Sequence, residues 1–217
     1  MTSDRLQINE IFYSIQGEST HAGRPCVFVR LTGCNLRCKW CDTEYAFYEG
    51  RQMQIDEVAE IVRGYRCDLV EVTGGEPLLQ EGVYSLIDAM LKSGHTVMIE
   101  TSGASDVSRL DPRVIKIMDL KCPGSGECER NLWSNLDHLT ARDEIKFVVA
   151  DHADYEWARD TIVRRELAHR AGALLLSPVF GKLDPAALAS WILEDRLPAR
   201  MQLQMHKHIW PDVTRGV

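Results

Sequence analysis

Short apolar runs rich in β-branched residues recur along the chain at intervals of roughly 25–30 residues, and helix-period segments separate several of them. The runs are 26–31, 69–72, 96–99, 114–120, 144–149, 173–176 and 201–204, and short segments this rich in apolar and β-branched residues mark buried strands. The helical segments are 55–65, 83–93, 154–169 and 185–195. In the second of these Val83, Leu86, Ile87, Met90 and Leu91 share one face, and Gly94 follows as a stop signal. Strand, helix, strand in this rhythm specifies parallel βα units. A full eight-unit barrel takes ~250 residues, but this chain has 217. The expected fold is therefore α/β: an incomplete, partial TIM-like barrel of about six parallel βα units. The alternating segment 6–15 adds a strand or hairpin. No repeat, low-complexity tract or linker interrupts the pattern, so 1–217 reads as a single domain with a short amino-terminal extension and a carboxyl-terminal tail.

Composition narrows the partners. Hydrophobic residues make up 45% and charged residues 26%, enough to build a core. The 25 Lys and Arg against 32 Asp and Glu give a net charge of −7. No block of one sign offers the polycationic face that nucleic acid or an anionic membrane requires. No apolar run approaches the ~20 residues of a bilayer span, and the amino terminus lacks a signal-peptide core. The expected location is the cytoplasm, with neither nucleic acid nor membrane as a direct partner.

In a parallel sheet the loops after the strands gather at one end, where ligands bind. The segments just past the expected strands are 32–42, 73–77, 100–103, 121–123 and 177–180, all rich in Gly, Cys, Ser, Thr, Pro or charge. The first holds Cys34, Cys38 and Cys41 in a C-x3-C-x2-C array. Seven cysteines are an odd count, and in a reducing compartment clustered thiols more often bind metal than pair. A closed zinc site needs four ligands, as does a fully ligated iron-sulfur cube. One reading is zinc completed by His21 or Cys122; the other is a 4Fe-4S cluster with one iron left open. Cys26 reads as a buried small hydrophobe, and Cys67, Cys122 and Cys128 fall outside the ligand spacing.

The cysteine array, with Trp40 just before its third member, resembles the cluster loop of the radical S-adenosylmethionine superfamily. Thr73-Gly74-Gly75-Glu76-Pro77 resembles that superfamily's glycine-rich segment for the methionine end of the cofactor. Along most of the chain the likeness sharpens toward the 7-carboxy-7-deazaguanine synthase family, through 10–18, 22–25, 28–30, 41–43, 99–101, 119–123 and 204–207. Two departures stand out, Ser19 where Gly is expected and Ser102 where Asn is common.

The resemblance implies that Cys34, Cys38 and Cys41 hold the cluster, and that Trp40, Cys41 and Asp42 line the adenine of S-adenosylmethionine. It places Gly75 at the methionyl part, with Asp119, Leu120, Lys121 and Ser177, Pro178, Val179, Phe180 closing over the nucleoside. Ile15, Gln16, Gly17, Arg30, Thr73 and Pro211 would hold a pterin substrate, with Glu18, His206 and Lys207 as further candidates, and Thr43 would ligate magnesium. Judged by residue type alone, Thr43 is a helix cap, Arg30 a paired structural charge, and His206 and His208 are tail residues. The implied reaction is radical ring contraction of 6-carboxy-5,6,7,8-tetrahydropterin to 7-carboxy-7-deazaguanine with loss of ammonia, in queuosine and 7-deazapurine biosynthesis. A reducing donor such as a flavodoxin and a homodimer are the implied partners. The competing readings are a radical activase acting on a protein partner, which shares the cysteine loop but has no need of Gln16, Arg30 or Thr43, and a non-catalytic zinc module.

Overall fold

The computed structural model describes residues 4–217 as one nine-stranded sheet. Its parallel part runs β2 (Pro25–Leu31), β4 (Leu69–Gly74), β5 (Thr96–Thr101), β6 (Ile115–Asp119), β7 (Glu144–Val149), β8 (Ala173–Pro178) and β9 (Arg200–Met201). Before it, β1 (Arg5–Ile15) pairs antiparallel with β2, and β3 (Arg51–Gln54) antiparallel with the other edge of β1. The order is β3-β1-β2-β4-β5-β6-β7-β8-β9 and the two edge strands do not meet, which is the expected open barrel. The segment 6–15 is the first arm of a hairpin, and it carries the sheet one strand further than the parallel core.

Helices fill four of the crossovers: α1 (Ile55–Gly64), α2 (Gly82–Lys92), α3 (His152–Arg164) and α4 (Pro185–Glu194). The crossovers from β5 to β6 and from β6 to β7 contain no α-helix. Their sequences are broken by Gly, Pro and Asp and never sustain an apolar stripe, so irregular turns join β5 to β6 and short 3-10 helices lie between β6 and β7. The helix expected over 154–169 starts at His152, where Asp151 accepts a hydrogen bond from the Asp154 amide at 3.1 Å, and stops at Arg164. Glu166 takes the left-handed conformation (φ 52°), and buried Leu167 prolongs the apolar pattern in a separate turn. The strand expected over 201–204 is only Arg200–Met201, because Gln202 turns its side chain inward to polar partners. Sequence periodicity had no purchase on β3, with its single buried Met53, or on the short α5 (Met205–Ile209).

One core lies outside the sheet, where Val58, Val62, Leu86 and Met90 of α1 and α2 cover Val29, Val72 and Ile99. A second packs α3 and α4 onto Phe147, Val149, Leu174 and Leu176. Inside the barrel the strand alternation is graded. Cys26, Phe28, Leu69, Met98 and Ile117 form an apolar floor. Above them, residues two further along the same strands are Arg30, Glu71, Glu100 and Asp119. That switch from apolar to charged within one inward face creates the site.

Candidate active site

A cavity of about 500 Å³ opens at the carboxyl ends of the parallel strands. Cys34, Cys38 and Cys41 all line it. Their loop is held by backbone contacts: the Gly33 amide donates to the Ala46 carbonyl at 2.8 Å, the Lys39 amide to the Ser125 carbonyl at 3.0 Å, and Leu36 is buried as an anchor. Burial pushes the thiols of Cys34 and Cys38 up, that of Cys38 to about 11, so a cluster must displace their protons on binding.

The glycine segment leans on this loop. The Glu76 amide donates to the Gly33 carbonyl at 2.8 Å, and a Cβ on Gly75 would lie 2.7 Å from the Cβ of Cys34, so only glycine fits there. Glu76 is fully buried, and its carboxylate accepts from the amide of Leu78, the hydroxyls of Thr101 and Ser102 and the Ser102 amide. Ser102 therefore supplies two donors to this carboxylate by itself.

Below lies a belt of charge carried by the strands. Lys146, on β7, donates to Glu18 at 2.8 Å and to Glu100, and lies 3.9 Å from Asp119. Glu18 also accepts from Gln202 at 3.1 Å and Gln204 at 3.0 Å. Burial alone would raise the Glu18 carboxyl, but the Lys146 ammonium holds it below the usual range. Glu71, on β4, accepts from the Gln16 amide nitrogen, and burial together with the Glu100 charge pushes its carboxyl up to about 8. Burial raises Glu100 as well, against the pull of Lys146. Burial and the Glu100 charge thus favour the protonated form of Glu71, which can donate, whereas Lys146 favours the ionised form of Glu18, which only accepts.

The hairpin loop between β1 and β2 closes the far end. Its Thr20 amide and hydroxyl donate to buried Glu144. Ser19 has φ 64°, a left-handed conformation in which glycine is favoured, and its hydroxyl accepts from the His21 amide at 3.0 Å. Gly17 packs on the His206 ring, where a Cβ would clash. Burial lowers the His206 imidazole below its ordinary value, against the pull of Glu18 and Asp42.

At the remaining wall, Arg30 Nε donates to Glu10 Oε1 at 2.7 Å and Tyr45 OH donates to the same oxygen at 2.9 Å. Asp42 pairs with Lys207 at 2.6 Å; burial opposes, but Lys207 holds its carboxyl down at about 2. Thr43 Oγ1 lies 3.8 Å from Cys41 Sγ.

Of the residues expected from sequence, Ile15, Gln16, Gly17, Glu18, Arg30, Trp40, Asp42, Thr43, Thr73, Gly75, Asp119, Lys121, Val179, Phe180, His206, Lys207 and Pro211 join the cysteines around this cavity. Three expected residues stand apart. Leu120 is fully buried in the second core, Ser177 is buried and accepts from Gln202 at 3.1 Å, and Pro178 lines a neighbouring groove. His208 is exposed, its ring 5.5 Å from that of Phe180. Sequence reasoning assigned no role to Glu71, Glu100, Lys146, Tyr45 and Glu76. The available signal was a charge inside a buried apolar strand, as in Leu-Val-Glu-Val and Glu-Ile-Lys-Phe, because such a charge demands a partner.

By donor type the three thiols suit an iron-sulfur cube with one open iron, although no group of three or more His, Cys, Asp or Glu among the described residues is gathered as a metal site. Three thiols face one cavity, with the glycine turn against the loop that carries them. Asp119 adds a buried Oδ1 without a hydrogen-bond partner. The fourth ligands considered for zinc lie elsewhere: Cys122 is closed into the second core, and His21 contacts Arg24 at 2.7 Å.

Residues 28–120 match the Radical SAM superfamily, the class that this loop, glycine turn and open barrel define. A 7-carboxy-7-deazaguanine synthase of Koribacter versatilis is 47% identical over 98% of the chain and 100% of its own length. One from Chlorobaculum tepidum is 48% identical over 100% and 99%. The crystal structure of QueE from Escherichia coli superposes with a TM-score of 0.74 at 25% identity, covering 93% of this chain and 95% of that one. The chain belongs to the 7-carboxy-7-deazaguanine synthase family.

Proposed function

We propose that the chain converts 6-carboxy-5,6,7,8-tetrahydropterin to 7-carboxy-7-deazaguanine with release of ammonia. The observation that carries this reading is a single cavity with three thiols at one wall, an arginine at another and a belt of paired carboxylates beneath. That polarity fits a bipolar ligand. The substrate has a carboxylate at the carbon where reaction begins and a nitrogen-rich ring at its other end. Arg30 presents a planar guanidinium suited to the carboxylate. Gln16, Thr73, Glu18 and His206 face the ring.

Cys34, Cys38 and Cys41 would hold a 4Fe-4S cluster, and Gly75, Trp40, Asp42, Asp119 and Lys121 would hold S-adenosylmethionine. When bound, these groups supply reductive cleavage of the sulfonium and removal of the C6 hydrogen. The protein's own part is to hold C6 beside the cofactor and to keep water out. Thr43 would offer magnesium one hydroxyl oxygen, the remainder coming from substrate carboxylate and water. A bound cluster would need a reducing electron donor such as a flavodoxin. No helix among the described residues is long and apolar enough to cross a membrane. Family likeness, rather than that absence, supports reading the chain as one domain of a cytoplasmic homodimer.

Anaerobic reconstitution followed by turnover tests the reading. Iron and acid-labile sulfide should appear together, and the carboxypterin should yield ammonia and the deazaguanine. Full zinc occupancy with no iron uptake would reject it. Thr43→Ala should slow turnover and blunt the response to added magnesium while leaving cluster and S-adenosylmethionine binding intact. An unaltered magnesium response would remove Thr43 from the ligand set.

A further inference from the structure

The segment after α5 forms no strand or helix, yet Pro211, Val213 and Thr214 wall the cavity. Beyond His208, its one polar side-chain tether among the described residues is Arg215. The guanidinium pairs with Glu49 at 2.8 Å and lies 4.1 Å from the centre of the Tyr45 ring. Half-exposed ion pairs contribute little by themselves, and the contact with the Tyr45 ring adds to the hold. Tyr45 in turn lies 6.0 Å from the Arg30 guanidinium, and its hydroxyl shares Glu10 Oε1 with Arg30. A continuous set of contacts therefore runs from the tail, through one phenol ring and one carboxylate, to the arginine that faces the substrate.

We propose that Arg215 is a positioning residue: it clasps the tail over the cavity through Glu49 and Tyr45 and, through Tyr45 and Glu10, fixes the orientation in which Arg30 meets a ligand carboxylate. The proposal rests on the substrate reading above and goes beyond it by assigning the selectivity for carboxylated pterins partly to a residue that touches no substrate. Loss of Arg215 removes the cation packed on the Tyr45 ring and so loosens the phenol whose hydroxyl steadies Glu10, the carboxylate that holds Arg30. Ligands with a carboxylate should feel this; ligands without one should not.

The test uses holoenzyme reconstituted anaerobically with S-adenosylmethionine, and two probes, 6-carboxypterin and unsubstituted pterin. Arg215→Ala should weaken 6-carboxypterin about fivefold to tenfold and pterin less than twofold, with iron content unchanged. Arg215→Lys, which keeps a cation over the ring, should restore most of the loss. In an Arg30→Ala background the Arg215 substitution should cost nothing further, since coupled residues are not additive. Equal weakening of both probes, or full additivity, would overturn the coupling. Hydrogen exchange without any pterin reads the clasp separately: Arg215→Ala should speed exchange in both 43–49 and 210–217. Unchanged exchange would refute the clasp even if the carboxypterin were bound. Failure of wild type to bind 6-carboxypterin, with the exchange result as expected, would overturn the substrate assignment and the proposed selectivity while leaving the clasp standing.

Discussion

The two walls of the cavity are built in opposite ways. The thiol wall is local: three cysteines and a tryptophan within one short loop, positioned by backbone hydrogen bonds and by the close approach of Gly75. The charged belt is assembled from distant places. Lys146 reaches Glu18, 128 residues away in sequence, and Gln204 reaches the same carboxylate from 186 residues away. A loop of thiols gains order from the cluster that it binds, whereas a buried belt must be satisfied as the chain folds. Cofactor binding and fold stability should accordingly respond to different residues.

The largest effect should come from the thiol wall. Cys34→Ala, Cys38→Ala and Cys41→Ala should each abolish turnover and prevent formation of a stable cluster, with little change in the thermal unfolding of the iron-free protein. Iron analysis and unfolding scans check both halves of that statement. Lys146→Met should show the reverse. Leaving Glu18 and Glu100 buried without their cation should cost about 3–5 kcal/mol of stability, read by denaturant midpoint; a shift below 1 kcal/mol would mean that water relieves the belt. Arg30→Ala should act on catalysis rather than on cluster or fold. A misplacement of about 1 Å at the reacting carbon is enough for a ~100-fold loss in kcat/KM, while S-adenosylmethionine binding, measured by calorimetry, stays close to wild type.

The pH dependence is subtler. Glu71 is raised from 4.5 to about 8 by burial and by Glu100, so the folded protein binds more protons there than the unfolded chain. Its contribution to stability should fall as pH rises between those values. Glu71→Gln should flatten that decline without unfolding the protein, and an unchanged slope would locate the titration elsewhere. The smallest effects are expected for Cys67→Ala and Cys128→Ala, which should leave iron content unaltered.

The difference between the walls also explains what the sequence disclosed. The strand and helix order was readable because Val27, Val29, Val70 and Val72 lie in runs rich in β-branched apolar residues, and because Leu86 and Met90 keep helical spacing. The cysteine loop was readable because its chemistry sits in consecutive residues. Arg30, Thr43 and Gln16 drew their roles from family likeness, and the fold brings them around one cavity with the cysteines. The belt stayed hidden because a charge in a strand carries no record of its partner. Glu71 and Lys146 stood out as anomalies in apolar runs, but only the curvature of the sheet brings them around the same interior. Leu120 and Ser177 illustrate the converse: a motif can span a strand end while alternation turns some of its side chains away from the cavity.

The central claim is that the thiol wall and the arginine wall serve one reaction in one cavity. Turnover of carboxytetrahydropterin deuterated at C6, by anaerobically reconstituted enzyme supplied with S-adenosylmethionine and reductant, tests it most directly. Ammonia and deazaguanine are the expected products, with deuterium recovered in the adenosyl carbon of the cofactor or of 5′-deoxyadenosine. Product formed with no label in the adenosyl carbon, or S-adenosylmethionine cleaved while the pterin stays intact, would contradict it.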